Sequence, residues 1–180
     1  MVVSLMCHPD REPRIELAQD GSYELFENRT PNYAEAYRVA IARAAERGMD
    51  LVTADTDGYH PPAEITRLAL SEFGDGPVLV LPYRVNIGFQ SKAYSLGFSL
   101  LARRRVRDAT GGLCRLSLEL MKSLPPLKST DMTVHIEILR HALQSKARLV
   151  QYGYRSGTND ESESRRTSHY QWKLLKAALR

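Results

Sequence analysis

The sequence has few cysteines, and they form no recognisable metal-binding pattern. Cys7 and Cys114 are the only two cysteines in 180 residues, and neither belongs to a Cys-x-x-Cys pair or a Cys/His cluster. A structural zinc site is therefore not predicted. Isolated thiols are typical of a reducing compartment, so the sequence predicts a cytoplasmic protein.

Long apolar runs are also missing. No run approaches the roughly 18–20 residues that a transmembrane helix needs, and the N-terminus lacks the charged-then-apolar order of a signal peptide. The helix predicted over 93–104 has several large apolar residues and is followed by a basic cluster ending at Arg107. This pattern is compatible with a peripheral contact to a membrane surface. A core-packing helix with a solvated basic end is the alternative.

Charge of one sign is not in large excess. Lys plus Arg number 25 and Asp plus Glu number 21, a formal charge of +4, which suits a surface that meets phosphates without identifying a partner. The basic runs lack interleaved aromatic residues, so no nucleic-acid partner is predicted. A glycine-rich phosphate loop is missing near the N-terminus, which disfavours a nucleotidyltransferase. The length predicts one domain over residues 1–180.

Short apolar runs alternate with helical patterns along the chain. Strands are predicted over 2–6, 23–27, 49–54, 77–83 and 147–154. Helices are predicted from Pro31 to the stop signal at Gly48, and over 61–73, 93–104, 116–124, 130–145 and 169–179. This alternation predicts an α/β fold with a mainly parallel sheet flanked by helices.

Two carboxylates follow one of the predicted buried strands. Asp55 and Asp57 stand one residue apart, before a turn at Gly58 and a helix that begins at Pro61-Pro62. Open α/β sheets bind ligands at the carboxyl ends of their strands, and Mg²⁺ prefers carboxylate oxygens while keeping positions for substrate phosphates. The pattern therefore predicts a divalent cation bridging a diphosphate. The alternative is that Asp55 caps a turn and Asp57 is solvated.

Several segments resemble glycosyltransferase family 2, and most nearly its polyprenyl-phosphate sugar transferases such as the dolichyl-phosphate mannose synthases. The segment ADTDGYHPPAEI at 54–65 is similar to the family's DADGxHPPE segment. Further similar segments follow in the family's order: PYR at 82–84, DATGGLCR at 108–115, HIEI at 135–138 and ESR at 163–165. The resemblance covers about residues 30–175 and implies a GT-A fold, a Rossmann-like α/β domain.

The resemblance also implies roles for single residues. It places Asp55 on the donor side, with Asp55 and Asp57 at a Mg²⁺ or Mn²⁺ ion. It places Arg84 and Arg165 against phosphates, a task that suits the planar guanidinium. Asp108 is implied near the acceptor as a base or an orienting group, and Glu137 in the sugar pocket.

Each of these roles has a simpler alternative. Asp108 could cap the turn before Gly111, Glu137 could be a solvated helix residue, and the two arginines could be surface charges. His60 is interpreted as a turn residue rather than as a ligand.

The resemblance weakens at the N-terminus. The family's first strand ends in P-x-Y-N-E and its second in D-D-x-S, and Cys7-His8-Pro9-Asp10 matches neither, so the nucleotide-binding part is expected to be shortened. The sequence thus predicts a metal-dependent glycosyltransferase that moves a sugar from a nucleotide-diphosphate donor, with inversion, to an acceptor such as a polyprenyl phosphate. The main alternative is a catalytically inactive GT-A-like binding protein.

Overall fold

The computed structural model describes residues 1–7, 23–56 and 59–157. The strands in these residues are β1 (Val2–Met6), β2 (Glu24–Asn28), β3 (Leu51–Asp55), β4 (Val78–Val80), β5 (Tyr83–Arg84), β6 (Cys114–Leu116), β7 (Arg148–Val150) and β8 (Gly153–Tyr154). The helices are α1 (Tyr33–Arg47), α2 (Pro62–Leu70), α3 (Phe89–Ala102), α4 (Leu118–Ser123) and α5 (Val134–Gln144). The helix predicted over 169–179 lies outside the described residues.

One six-stranded sheet organises the fold, in the order β2-β1-β3-β6-β4-β7. Strand β1 pairs in parallel with both β2 and β3, and β4 pairs in parallel with β7. Only β6 runs against its neighbours β3 and β4 within this sheet. The predicted α/β class with a mainly parallel sheet is confirmed, and both N-terminal strands are in place.

Helices cover both faces of the sheet. Every residue of β1 is buried, and its side chains alternate between two separate apolar cores. Val2 and Met6 join the core that contains α1 and α5, whereas Val3 and Leu5 join the core that contains α2. A parallel strand that is buried on both faces reads as a nearly continuous apolar run, which explains why these strands were recognisable in the sequence.

Capping residues set the bounds of α1. The Asn32 side chain accepts a hydrogen bond from the Glu35 amide at 3.1 Å, satisfying one of the free donors of the first turn. Gly48 ends the helix with φ 65°, a left-handed conformation that glycine adopts without steric cost. Between these caps, Tyr37 and Ala40 are fully buried against the sheet.

Two predicted strands are each divided in the structure. The run over 77–83 forms β4, passes Leu81-Pro82 and continues as β5, which leaves the main sheet and pairs with β8. Likewise the run over 147–154 forms β7 and then β8. The divided strands place a two-stranded ribbon beside the end of β4.

The sequence analysis missed strand β6, because it considered a turn before Gly111 and predicted a helix from Leu116. The strand has three residues, too few to show an alternating pattern. It is followed at once by Ser117, whose side chain accepts from the Leu120 amide and caps α4.

Candidate active site

The candidate site lies at one edge of the main sheet. Strands β1, β3 and β4 point their carboxyl ends to this edge, and the antiparallel β6 begins there. The residues that end β3, follow β4 and precede β6 are therefore brought together: Asp55, Arg84 and Gly111-Gly112. This is the edge at which open α/β sheets bind ligands.

Asp55 is held at the end of β3 with its carboxylate accessible. The next residue, Thr56, donates to the Met6 carbonyl from both its amide at 3.3 Å and its hydroxyl at 3.2 Å, which fixes the ends of β1 and β3 together. The Asp55 side chain is 28% exposed. Asp57, the second carboxylate of the predicted pair, lies outside the described residues.

Gly112 makes room for the Asp55 carboxylate. A methyl group built on Gly112 would overlap Asp55 Oδ2, and the closest atoms are those of that carboxylate. The Thr53 hydroxyl lies 3.4 Å from the Gly112 carbonyl and ties the same segment to β3. A glycine at this position is thus required by space, and the loop before β6 forms one wall of the site.

A buried histidine stands behind Asp55. His60 is 2% exposed, and its Nε2 lies 4.0 Å from Asp55 Oδ2. Its Nδ1 lies 2.8 Å from the hydroxyl of Tyr154 on β8. Burial raises the pKa of Tyr154 well above its ordinary value, so the phenol keeps its proton at neutral pH. The hydrogen bond to Tyr154 fixes the orientation of the imidazole, with Nε2 on the side of Asp55.

The segment that contains β8 is fastened to the site at two points. The Gly157 amide donates to the Tyr59 carbonyl at 3.0 Å. The Ser156 amide and hydroxyl both donate to Asn86 Oδ1, at 3.0 and 2.9 Å. These bonds fix the His60–Tyr154 pair relative to β5.

Arg84 and Asp108, predicted for different roles, form one buried ion pair. Arg84 Nε donates to Asp108 Oδ2 at 2.7 Å, and a terminal nitrogen donates to Oδ1 at 3.1 Å, a bidentate arrangement. The exposed fractions of the two side chains are 5% and 0%. The Thr110 hydroxyl accepts from the same guanidinium at 2.8 Å and donates to Asp108 Oδ1 at 2.7 Å.

This pairing fixes the charge of Asp108. Burial acts to raise the pKa of Asp108, but the hydrogen bonds and positive charge of Arg84, with the hydrogen bonds of Thr110, hold that pKa below its ordinary value. A carboxylate that is fully buried and engaged on both oxygens is poorly placed to take a proton from an acceptor. Of the two roles considered for Asp108, this geometry suits the orienting one.

Glu137, predicted to line a sugar pocket, accepts hydrogen bonds from the loop that precedes α5. Its carboxylate accepts from the amides of Lys128 and Ser129 at 2.9–3.1 Å and from the Ser129 hydroxyl at 2.7 Å. Burial acts to raise the pKa of Glu137, but these bonds lower it overall. In this structure Glu137 anchors the segment before α5, and its part in sugar binding stays a prediction.

The carboxylate oxygens of Asp55 are the hard, partly exposed ligands that Mg²⁺ and Mn²⁺ accept, and the missing side chain of Gly112 lets this carboxylate stand at the end of β3. Asp55 therefore fits the predicted metal. Within residues 1–7, 23–56 and 59–157, no group of three or more His, Cys, Asp or Glu side chains has metal-binding geometry. Arg165, like Asp57, lies outside those ranges.

Sequence reasoning missed four residues of the site: His60, Tyr154, Thr110 and Gly112. His60 was interpreted as part of a turn, although its short spacing from Asp55 placed it near the carboxylate. Tyr154 is distant in sequence and meets His60 only because β8 pairs with β5. Gly112 had a signal, since two adjacent glycines directly precede an apolar run.

No protein-family model matches the chain, and no curated protein matches it. The resemblance to family 2 and its polyprenyl-phosphate enzymes therefore stays a prediction.

Solved structures of glucosyl-3-phosphoglycerate synthase from Mycobacterium tuberculosis do match. The complex with Mn²⁺, uridine diphosphate and phosphoglyceric acid has a TM-score of 0.67 and 16% sequence identity, over 99% of this chain and 76% of that chain. The complex with Mn²⁺, uridine-diphosphate-glucose and glycerol 3-phosphate gives 0.60 and 18%, over 99% and 77%. The chain thus has the GT-A fold.

Proposed function

We propose that this chain is a metal-dependent glycosyltransferase, a single GT-A domain that transfers a sugar from a nucleotide-diphosphate donor. One observation carries the proposal: Asp55 ends β3 on a GT-A fold, at the edge where open α/β sheets bind ligands, with its carboxylate 28% exposed. The matched synthases were solved with Mn²⁺ and uridine diphosphate, which supports a nucleotide-diphosphate sugar and a divalent cation here.

Asp55, together with Asp57, would hold Mg²⁺ or Mn²⁺. When bound, such an ion supplies Lewis-acid stabilisation of the charge on a departing diphosphate. The chain's own contribution is to fix Asp55 through Thr56 and to hold His60 through Tyr154, with Nε2 4.0 Å from that carboxylate. His60 therefore acts as a positioning residue in the proposal.

Transfer itself requires few covalent steps. An acceptor oxygen forms a bond to the anomeric carbon, the bond from that carbon to the diphosphate oxygen breaks, and the diphosphate leaves with the electron pair. Asp108 holds Arg84 in one orientation through two hydrogen bonds. Because Asp108 balances its charge, Arg84 contributes to the site by joining β5 to the segment before β6, and a contact of Arg84 with phosphate stays a prediction.

The ion pair between Asp108 and Arg84 affects which acceptors the site suits. A hydroxyl acceptor must lose a proton, whereas a phosphate oxygen is already ionised and needs no base. The polyprenyl phosphate expected from the sequence belongs to the second class, and we retain it as one acceptor to test. Small phosphorylated molecules are a second kind of acceptor to test, since the matched synthases were solved with phosphoglyceric acid and glycerol 3-phosphate.

The stereochemical part of the proposal, inversion, is supported by the resemblance to family 2. Proton NMR of the first product formed distinguishes the two outcomes, because the anomeric coupling constant reports the configuration. A product that keeps the donor's configuration would contradict inversion and leave the transferase assignment standing.

A catalytically inactive binding protein is the second candidate. The observation that favours it is the ion pair of Asp108 with Arg84, since Asp108 was the base considered for a hydroxyl acceptor. Such a protein would bind nucleotide and metal through Asp55 without cleaving the donor.

Two measurements test the proposal in sequence. A thermal-shift panel of nucleoside diphosphates with and without Mn²⁺ should show stabilisation by at least one nucleotide that depends on the metal. Release of the nucleotide from the corresponding sugar donor should then separate an enzyme from an inactive relative. Failure of every nucleotide to stabilise the protein would contradict both candidates.

A further inference from the structure

Helix α3 has one face in the core and an apolar stripe in solvent. Tyr94, Ser95 and Phe98 are buried. On the opposite face Phe89, Leu96 and Leu100 are 85%, 63% and 71% exposed. Their spacing of seven and four residues places them in one line along the helix. Large exposed apolar side chains in a contiguous stripe indicate an interaction surface.

Basic residues border this stripe. The segment from Arg103 to Arg107 follows the helix directly and holds four arginines, and Lys92 lies between Phe89 and Leu96. There is no Asp or Glu between Asp75 and Asp108. Residues of α3, β5 and the arginine segment line an open groove of about 1000 Å³, which therefore combines apolar walls with positive charge.

The arginine segment is fixed to the fold. The Ser99 hydroxyl bonds both the amide and the carbonyl of Val106, each at 2.9 Å. The Gln151 side chain accepts from the Arg107 amide and donates to the Arg105 carbonyl, both at 2.9 Å. These contacts hold the arginines beside the apolar stripe, so the two features form one surface, here called the α3 surface: Phe89, Lys92, Leu96, Leu100 and 103–107.

We propose that the α3 surface binds anionic membranes. An interfacial helix inserts exposed apolar side chains at the level of the lipid headgroups while adjacent basic residues meet anionic phosphates. The α3 surface supplies both parts on one side of the molecule. No helix in the part of the chain that the structure describes is long and apolar enough to cross a bilayer, and this form of contact needs none.

Charge favours a lipid surface over a second copy of the chain. A second copy of the α3 surface would offer the arginines no acidic partner, because there is no Asp or Glu between Asp75 and Asp108. An anionic membrane instead complements all of them. The inference does not depend on the transferase activity, because none of the residues tested below belongs to the candidate active site.

Vesicle sedimentation of the full chain tests the proposal directly. The protein should pellet with vesicles of phosphatidylcholine and phosphatidylglycerol at 50 mM salt, less at 500 mM salt because exposed charges are screened, and not with phosphatidylcholine alone. Each basic residue near an anionic surface contributes about 1 kcal/mol, so the double variant Arg104→Gln/Arg105→Gln should bind about 25-fold more weakly. Leu96→Ser/Leu100→Ser should weaken binding at least about tenfold through lost apolar contact.

Matched variants elsewhere on the surface serve as controls. Lys122→Gln/Lys146→Gln removes the same number of exposed positive charges, and Leu70→Ser removes an apolar side chain that is 52% exposed on α2. Both should bind as the unmodified protein does. All substituted positions are exposed, so thermal melting should stay within a few degrees and exclude unfolding as the cause of any loss.

A site-specific probe locates the contact. Cys7 and Cys114 are buried free thiols, so an environment-sensitive fluorophore can be attached selectively to Leu100→Cys, with Lys122→Cys as the control position. Anionic vesicles should shift the emission of the first label to the blue and leave the second unchanged. Absence of pelleting with anionic vesicles at low salt would overturn the proposal. So would binding that survives both double variants, or self-association without lipid that the leucine variant abolishes.

Discussion

Two carboxylates at the same sheet edge have opposite surroundings. Asp108 is fully buried and bonded on both oxygens to Arg84 and Thr110, whereas Asp55 keeps 28% of its side chain exposed beside a glycine. The first arrangement stabilises one conformation, and the second leaves a carboxylate that solvent reaches. Residue type and location do not separate these two carboxylates, whereas the accessibility of their oxygens to solvent does.

The largest expected effect comes from breaking the buried ion pair. Asp108→Ala leaves the Arg84 guanidinium buried without its partner charge and should lower the free energy of unfolding by about 3–5 kcal/mol. Replacing both partners, as in Arg84→Met/Asp108→Leu, should recover part of this loss. Urea denaturation measures both variants.

The Asp50–Arg115 pair is the matched control, because its side chains are 25% and 14% exposed. Asp50→Ala should cost less than half as much as Asp108→Ala, since water reaches the remaining charge. Equal losses for the two single variants would show that burial is not what distinguishes Asp108.

A smaller loss of stability is expected at the histidine behind Asp55. Tyr154→Phe removes the hydroxyl that is hydrogen-bonded to His60 Nδ1 and so removes one partner of a buried ring nitrogen. The free energy of unfolding should fall by about 1–3 kcal/mol. Tyr83→Phe, on the neighbouring strand of the ribbon, is the control and should change stability less.

A substitution at Gly112 tests whether the position of the Asp55 carboxylate matters for ligand binding. Gly112→Ala should displace the Asp55 carboxylate and weaken metal-dependent nucleotide binding about tenfold, roughly 1.4 kcal/mol. Gly97→Ala is the control: a methyl group there meets nothing within 4 Å, and a helical alanine should raise stability by up to about 1 kcal/mol. Titration calorimetry measures metal-dependent nucleotide binding by both variants. Unchanged binding by Gly112→Ala would contradict the claim that Asp55 needs a glycine at position 112.

The smallest effect is a dependence of stability on pH. The pKa of Asp108 is lower in the folded chain than in the unfolded chain, so the unfolded state binds the proton first as pH falls. The stabilisation is complete above the ordinary Asp pKa of about 3.9 and is lost as pH falls through the folded value. Denaturation midpoints from pH 7 to pH 3 should fall less steeply in Arg84→Met/Asp108→Leu than in the unmodified protein.

The fold was largely predictable from local sequence. Apolar runs such as Val2–Met6 and the capping residues of α1 act within a few positions, so periodicity and turn residues reveal them. Strand β6 was not predictable because three residues are too few to show the alternation of apolar and polar residues that marks a strand. The division of the 77–83 run arises from the pairing of β5 with β8, which local sequence does not specify.

The sequence identified several residues of the candidate site but not how they interact with one another. Asp55, Arg84 and Asp108 were all identified from the sequence, and the structure brings Asp55, Arg84 and Asp108 to one sheet edge. The sequence did not reveal that Arg84 and Asp108 form an ion pair, because Arg84 lies on β5 and Asp108 lies 24 positions later, in the segment before β6. Similarly, His60 acquires its partner Tyr154 through tertiary pairing.

The most direct test of the central claim is titration calorimetry of Asp55→Asn. With Mn²⁺ present, the unmodified protein should bind a nucleoside diphosphate such as uridine diphosphate, and Asp55→Asn should lose this binding while its melting temperature changes little. Asp75→Asn, an exposed residue in a turn, should bind as the unmodified protein does. Unchanged metal-dependent binding by Asp55→Asn would contradict the assignment of this carboxylate to the cation.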